Sequence, residues 1–267
     1  TVEVRARMVL NCAGPGCDDV LALCGPLRGG RAPLLRARNL VLRRPPSLPL
    51  AVGARSASRF LFLVPWQGST MVGTSYEPEE HPPSDPLAFL REAATAFPWA
   101  ELAAEDLVLV HEGLVPGRGG ASGLATRTRL VDHEAEDALP GLVSVQGVKY
   151  TTARLVAQRV VDLVGRRLRR ELPACRTAQT PLQAARRLAG PLESATRTAV
   201  REEMALTLAD AVLRRLDLGT AGPPDPAELA CVAATMAAEL RWDRPRLEQE
   251  EAALAAVYGA LARPGPV

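Results

Sequence analysis

The sequence is almost free of lysine: 31 of its 32 basic residues are arginine, and the single exception is Lys149. Lysine carries a compact, strongly hydrated charge with three rotatable donors, whereas arginine carries a wide planar fork. A lysine in an arginine-only background therefore indicates a place that the fork does not fit, such as a tight pocket. Composition alone leaves a solvated surface lysine as the alternative, so the neighbours of Lys149 decide between the two.

Other residue types and patterns are also scarce, and each absence excludes a class of protein. Five cysteines without a CxxC pair argue against a disulfide framework and a zinc site, and indicate a reducing cytoplasm. No pair among the three histidines has the spacing of metal ligands, so we expect no metal; they are His81, His111 and His133. We interpret all three as structural or solvated, with His81 and His133 in polar loops. A net charge of +2 without a basic block argues against nucleic acid and favours a small-molecule partner. No apolar run approaches the roughly 20 residues that span a bilayer, so any membrane contact would be peripheral.

The start of the sequence has the pattern of a strand inside a fold. There is no initial methionine, and alternating residues run into the apolar stretch Met8-Val9-Leu10 and then Asn11. Small residues follow at positions 12–15, where a ligand or another backbone can approach closely. We expect that the natural chain continues upstream.

The rest of the sequence divides into a β-rich part and a helical part. Short β-rich runs at 39–42, 60–64 and 71–74, separated by turns that include 43–46, predict an antiparallel meander, and Asp85 before a proline predicts the start of a helix. Strands are predicted at 106–111, 127–132 and 141–146, with a mobile glycine-rich loop at 117–123 and an acidic turn at 134–137. One amphipathic helix is predicted at 152–170, and helices alone at 195–216, 226–240 and 244–261.

Five segments match one family in order along nearly the whole chain. They are 11–18, which follows an Asn-Ala-Ala-Gly-Pro-Trp-x-Asp pattern; 65–74, which follows Pro-Trp-x-Gly-x-Thr-x-x-Gly-Thr; 147–154, which follows Gly-Gly-Lys-x-Thr-Thr-x-Arg; and two helical segments, 201–215 and 236–243. Together they resemble the FAD-dependent glycerol-3-phosphate dehydrogenases of the D-amino-acid-oxidase-like flavoprotein group.

The resemblance implies an α/β (α+β) fold in which a dinucleotide-binding domain is interleaved with an antiparallel substrate domain. Residues 1–34 and 127–172 would form the later part of the FAD-binding domain, 35–126 the antiparallel β substrate domain, and 173–267 a helical C-terminal domain. The glycine-rich GxGxxG turn that holds the FAD pyrophosphate is absent from this sequence and belongs upstream. The resemblance therefore covers the later half of such an enzyme.

The function that the resemblance implies is oxidation of glycerol 3-phosphate to dihydroxyacetone phosphate. A hydride would pass to FAD, and the electrons would pass on to quinone at the inner face of the cell membrane, where the protein would bind peripherally. A homodimer is an alternative that the sequence leaves open.

The same resemblance assigns the cofactor-binding residues. Lys149 would lie beside the flavin and the substrate, where an ammonium can stabilise negative charge on the reduced ring or a developing alkoxide. Thr151 and Thr152 would supply donors at a helix N-terminus, a favourable anion site, although a plain helix cap is compatible with both residues. The remaining expected cofactor contacts are Ala13, Gly14, Gly147 and Val148.

The expected substrate residues are less complete. Arg127 matches a family arginine near substrate, but the acidic residue and histidine that should follow it are Thr128 and Arg129. Val115 replaces a phosphate-binding arginine, and Asn39 replaces a histidine.

Two substitutes for the missing arginine are available in the sequence: Arg118 from the glycine-rich loop, and Arg38. Because clamps are missing, two alternatives stay open: a related FAD oxidoreductase for another hydroxy or amino acid, and a non-catalytic homologue or fragment.

Overall fold

The computed structural model describes residues 3–25, 33–43, 48–118, 123–181 and 190–261. Within these ranges the strands are β1 (Val9–Asn11), β2 (Leu34–Leu42), β3 (Val52–Arg55), β4 (Phe60–Trp66), β5 (Ser69–Pro78), β6 (Leu107–Pro116), β7 (Arg129–Asp132) and β8 (Leu142–Gln146). The α-helices are α1 (Cys17–Ala22), α2 (Pro86–Ala96), α3 (His133–Asp137), α4 (Ala153–Arg167), α5 (Leu192–Glu203), α6 (Pro226–Leu240) and α7 (Arg244–Leu261). The predicted mixed α/β class is confirmed.

The described chain forms two compact units, each built from three separate segments. The first unit takes its residues from 1–37, 76–83 and 113–183, and the second from 38–75, 84–112 and 184–267. The three domains expected from the sequence, with their own boundaries, stay a prediction.

A three-stranded sheet with the order β1-β8-β7 organises the first unit. β1 runs parallel to β8, with Asn11 opposite Ser144, and β7 is antiparallel to β8. The strands predicted near 127–132 and 141–146 are therefore confirmed, whereas the opening strand is limited to Val9–Asn11. The parallel pair places the ends of β1 and β8 at the same edge of the sheet.

The acidic segment after β7 is a short helix, so the predicted turn at 134–137 is wrong. Asp132 caps α3, because its carboxylate accepts a hydrogen bond from the Glu134 backbone N–H at 3.3 Å. His133 opens this helix and is only 3% exposed, not in a polar loop as predicted. Its Nδ1 lies 2.6 Å from Asp137 Oδ2 and its Nε2 lies 2.8 Å from Ser144 Oγ. The histidine is structural, since it ties α3 to β8.

The second unit contains most of a five-stranded sheet with the order β3-β4-β5-β2-β6. β3 pairs antiparallel with β4, and β4 with β5, which confirms the predicted neighbours 60–64 and 71–74. The run at 39–42 belongs to β2, which lies beside β5 and not beside β4, so the predicted meander order is wrong for this run. Side chains alternate between faces: Leu40 and Leu42 belong to one apolar cluster with Phe89 of α2, while Val41 belongs to another cluster with the C-terminal helices. One face of the sheet is thus covered by α2 and the other by helices that come later in the chain.

The start of α2 follows the sequence prediction. The Asp85 carboxylate accepts a hydrogen bond from Leu87 N–H at 2.9 Å, and Pro86 occupies the first helical position. Both are typical of a helix N-terminus, because the cap satisfies one free donor and proline has none to leave unpaired.

The helix predicted over 195–216 is interrupted. α5 ends at Glu203, Met204 adopts the left-handed conformation with φ 57°, and a π-helix covers Asp210–Arg215. The Asp210 carboxylate accepts hydrogen bonds from Leu206 N–H and Thr207 N–H, and the Thr207 hydroxyl accepts one from Asp210 N–H. These reciprocal hydrogen bonds hold the turn that leads into the second helical segment.

The remaining predictions on helices and loops have mixed outcomes. α4 covers Ala153–Arg167 of the predicted 152–170, and Leu155, expected on its inward face, is 40% exposed. The predicted glycine-rich loop and the turn at 43–46 lie largely outside the described residues. Within the described ranges, no helix has both the length and the apolar character needed to cross a membrane.

Candidate functional site

A cavity of about 420 Å³ opens at the edge of the first unit where β1 and β8 end. All of its lining residues belong to that unit. They are Cys12, Gly14, Pro15, Cys17 and Asp18 after β1; Leu34, Leu114, Val115, Pro116 and Thr128; residues 145–150; and Ala153, Val156, Ala157 and Val160 of α4. The carboxyl edge of parallel strands is the usual ligand position in α/β folds.

The lysine loop connects β8 to α4 along this cavity. Thr152 holds the loop, because its hydroxyl donates to the Lys149 carbonyl at 3.1 Å and its N–H donates to the same oxygen at 3.3 Å. A 3₁₀ turn, Tyr150–Thr152, then leads into the 15-residue α4. The N-terminal end of a helix of this length carries a partial positive charge, and it lies at the lining.

Asn11 fixes the other loop of the cavity, between β1 and α1. Its side chain is 3% exposed; Nδ2 donates to the Cys17 carbonyl at 2.9 Å, and Oδ1 accepts from Ala13 N–H at 3.2 Å. Gly14 follows with φ 60°, a conformation that favours glycine. The asparagine thus shapes the cavity wall without lining it, a role that the sequence motif alone did not reveal.

The lining is mostly apolar and carries two charged side chains among the described residues, Lys149 and Asp18. Lys149 is exposed at the rim. Cys17 is buried, and burial raises the pKa of its thiol, which keeps it protonated and effectively apolar. The cavity therefore suits a largely apolar group that carries negative charge near Lys149.

The structure brings together four of the predicted cofactor residues. Gly14, Gly147, Val148 and Lys149 line the cavity. Ala13, Thr151 and Thr152 do not line it; Ala13 instead donates its N–H to Asn11, and Thr152 holds the lysine loop. Several lining residues were not predicted, above all Cys17 and the α4 face formed by Val156 and Val160. The only sequence signal for that face was the helical spacing of its apolar residues.

The predicted substrate arginines lie off the lining. Arg118 is exposed and its Nη2 donates to Thr126 Oγ1 at 3.0 Å, and Arg127 is exposed one residue before Thr128, which does line the cavity. Val115, at the position of the missing family arginine, also lines it.

Asn39 and Arg38 belong to the second unit, whereas the cavity residues belong to the first. The Asn39 Oδ1 accepts a hydrogen bond from the Thr74 hydroxyl at 2.8 Å. A Cβ on Gly73 would lie 1.7 Å from the same oxygen, so Asn39 requires glycine there. Arg38 is 3% exposed, and its guanidinium donates to the Ser84 carbonyl and hydroxyl at 2.8 and 2.7 Å.

Comparison with curated proteins finds glycerol-3-phosphate dehydrogenases. The enzyme of Synechocystis sp. is 28% identical over 218 residues, which cover 73% of this chain and 39% of the relative. The mitochondrial enzyme of Arabidopsis thaliana is 27% identical over 59% of this chain and 26% of the relative, and the human mitochondrial enzyme is 27% identical over 60% and 23%. The chain thus spans about two fifths, or less, of the length of these relatives. No family model matches the chain.

Comparison with solved structures gives the same family name. The glycerol-3-phosphate dehydrogenase of Bacillus halodurans, solved in complex with FAD, superposes with a TM-score of 0.72 at 20% identity, covering 99% of this chain and 64% of that one. The described fold therefore agrees with that of a flavoprotein over essentially all of this chain. The resemblance found in the five sequence segments is confirmed: this chain is similar to glycerol-3-phosphate dehydrogenases in sequence and to one of them in fold.

Proposed function

We propose that the cavity holds the ring system of FAD and that the complete protein is a flavin-dependent oxidoreductase that acts on a secondary alcohol. One observation carries the proposal: an apolar cavity with a single ammonium lies at the carboxyl edge of the parallel pair β1 and β8. The similarity to glycerol-3-phosphate dehydrogenases, one of them solved with FAD, supports the same cofactor.

The residues present fit this cofactor. A flavin ring is flat and largely apolar, and Val148, Val156 and Val160 offer apolar surface on the lining. Gly14 and Gly147 carry no side chain that would keep a ring away from the backbone. When bound, FAD supplies the hydride acceptor for oxidation of an alcohol.

The chain's own residues would bind and orient the reactants. The Lys149 ammonium would stabilise negative charge that develops at the ring or at the substrate oxygen. Arg127 remains a candidate for substrate contact because its neighbour Thr128 lines the cavity. By the same similarity we propose quinone as electron acceptor, reached at the inner membrane face.

The test is flavin retention by the protein, expressed together with any sequence that its gene encodes before Thr1. We expect the visible absorbance band of bound flavin in the purified protein. Ala157→Trp places an indole in the cavity and should abolish the band, while the matched control Ala88→Trp, at an exposed position of α2, should keep it. A folded protein without flavin, or flavin that tolerates Ala157→Trp, would disprove this placement.

A further inference from the structure

We infer that Cys12 and Cys17 form a redox-sensitive thiol pair, which a small disulfide such as glutathione disulfide converts into an intramolecular disulfide bond. Two observations carry the inference. Both cysteines line the same cavity, and the loop that joins them brings one thiol back toward the other. Formation of the disulfide does not depend on the cofactor, whereas its effect on flavin binding rests on the proposed function.

The loop from Cys12 to Cys17 folds back on itself. The Cys17 sulfur lies 3.8 Å from the carbonyl oxygen of Asn11, which belongs to the peptide group that joins Asn11 to Cys12. Standard peptide dimensions then place this sulfur within about 6 Å of the Cys12 backbone nitrogen. Between the two cysteines, a turn is closed by a hydrogen bond from Gly16 N–H to the Ala13 carbonyl at 3.1 Å. A disulfide joins Cα atoms about 4.4–6.8 Å apart, so a small movement of the loop is sufficient.

The two thiols differ in exposure, which gives each a separate role in the exchange. Cys12 is exposed and can meet a small disulfide, whereas Cys17 is only 3% exposed. Burial raises the pKa of the Cys17 thiol, and the backbone N–H groups of Ala13 and Gly14 oppose this rise. The same donors stabilise the thiolate that must form during exchange. Cys12 therefore reacts first, and Cys17 completes the disulfide from within the loop.

The reaction balances with the small disulfide as the oxidant. The Cys12 thiolate attacks one sulfur of glutathione disulfide, whose S–S bond breaks, and one glutathione leaves as a thiolate. The Cys17 thiolate then attacks the Cys12 sulfur and releases the second glutathione. The protons of both cysteine thiols end on the two glutathione molecules, so the cysteines are oxidised and glutathione disulfide is reduced. Excess glutathione reverses both steps, and the pair thus responds to the thiol–disulfide balance around it.

Oxidation changes one wall of the cavity. The Asn11 side chain holds the loop through the Cys17 carbonyl and the Ala13 N–H, and both cysteines lie on the lining. A disulfide draws the two ends of this loop together and disturbs these hydrogen bonds. We therefore expect flavin to bind about tenfold more weakly to the oxidised protein, which is the effect of losing about one hydrogen bond.

Mass spectrometry of the protein treated with glutathione disulfide tests the thiol pair. The protein, expressed as above, is oxidised, denatured, alkylated and digested with trypsin and Asp-N endoproteinase, which cut after Arg7 and before Asp18. The resulting peptide 8–17 contains both cysteines of the pair but not Cys24, so an internal disulfide lowers its mass by two hydrogens. We expect this species as the main oxidised product. A glutathione adduct with an alkylated Cys17, or a peptide with both thiols alkylated, would overturn the inference.

Two variants separate the pair from another exposed thiol nearby. Cys17→Ser removes the second step of the exchange and should leave Cys12 as a glutathione adduct. Cys24→Ser is the matched control, because Cys24 is exposed, lies just beyond the end of α1 and is off the lining. This variant should form the disulfide in peptide 8–17 as the wild type does. If Cys24→Ser prevents the disulfide, the pairing is wrong and the inference fails.

Flavin binding tests the consequence for the cavity. The flavin affinity is measured for the reduced protein, for the oxidised protein and after re-reduction with dithiothreitol. We expect an about tenfold loss on oxidation and full recovery on reduction, whereas the affinity of Cys12→Ser should not respond to glutathione disulfide. Equal affinities of the oxidised and reduced wild type would refute redox control of the cavity. A protein that never binds flavin would refute the proposed cofactor, and the mass of peptide 8–17 would still decide the thiol pair.

Discussion

Removing the side chain of Asn11 should destabilise the first unit and open the cavity wall. Asn11→Ala removes two hydrogen bonds, the donation to the Cys17 carbonyl at 2.9 Å and the acceptance from Ala13 N–H at 3.2 Å. Leaving the buried Cys17 carbonyl unsatisfied costs about 1–3 kcal/mol, and losing the partly buried hydrogen bond of the exposed Ala13 adds about 0.5–1.5 kcal/mol. Because Asn11 is 3% exposed and water does not replace it freely, we expect a total loss of roughly 2–4 kcal/mol.

Urea unfolding followed by circular dichroism measures this loss. With a slope of about 1–3 kcal/mol per molar urea, the midpoint should fall by roughly 1 M or more. Asn39→Ala is the matched control, because the half-buried Asn39 accepts one side-chain hydrogen bond, from the Thr74 hydroxyl. Its midpoint should fall by less than half as much. An Asn11→Ala shift no larger than that of the control would refute the reasoning.

Three further predictions concern other parts of the chain. Burial raises the pKa of Glu92, but hydrogen bonds from two serine hydroxyls and a nearby guanidinium outweigh this effect, so the pKa of Glu92 lies below its usual value of 4.5. The stability that the ionised Glu92 adds is therefore complete above pH 4.5 and is lost as the pH falls through the lowered pKa. Glu92→Gln should therefore lower the unfolding free energy at neutral pH and match the wild type in acid, and a gap that does not change with pH would contradict this. A hydrogen bond from the Thr177 hydroxyl lowers the pKa of the exposed Cys175 thiol, whereas burial raises that of Cys17, so iodoacetamide should alkylate Cys175 much faster; equal rates by peptide mass spectrometry would count against it. Gly219→Ala would place a Cβ 1.9 Å from the hydroxyl of a buried tyrosine, and should lower the melting temperature by several degrees; an unchanged value would contradict the packing.

Local patterns predicted the elements whose causes lie within a few residues. The start of α2 follows from Asp85 and Pro86 alone. Successive side chains of a strand point to opposite faces of the sheet. Leu40 and Leu42 therefore pack on one face and Val41 on the other.

Elements that depend on distant partners were missed. The break after α5 involves Leu208, whose N–H donates to the buried Glu250 at 2.8 Å, 42 residues later. His133 was assigned to a polar loop because its partner Ser144 lies on the next strand. No local pattern contains these contacts, so sequence reasoning could not place them.

The sequence predicted the site residue whose type is rare in this chain, the lysine, but not the position of residues whose type is common, the arginines. Lys149 stands out as the single lysine, and the structure places it on the cavity lining. Arg127 and Arg118 are two of 31 arginines, and neither lines the cavity. Whether an arginine can reach a ligand depends on the hydrogen-bond partner of its guanidinium. The sequence does not show these partners.

The reduction potential of the bound flavin tests the central claim most directly. If the ring lies beside Lys149, the ammonium stabilises the electron-rich reduced form, and Lys149→Met should lower the two-electron potential by at least about 30 mV, the equivalent of roughly 1.4 kcal/mol. Lys149→Arg, which keeps the charge but not the shape, should lower it less while slowing flavin reduction about tenfold or more. A potential in Lys149→Met that equals the wild-type value would contradict a flavin in this cavity.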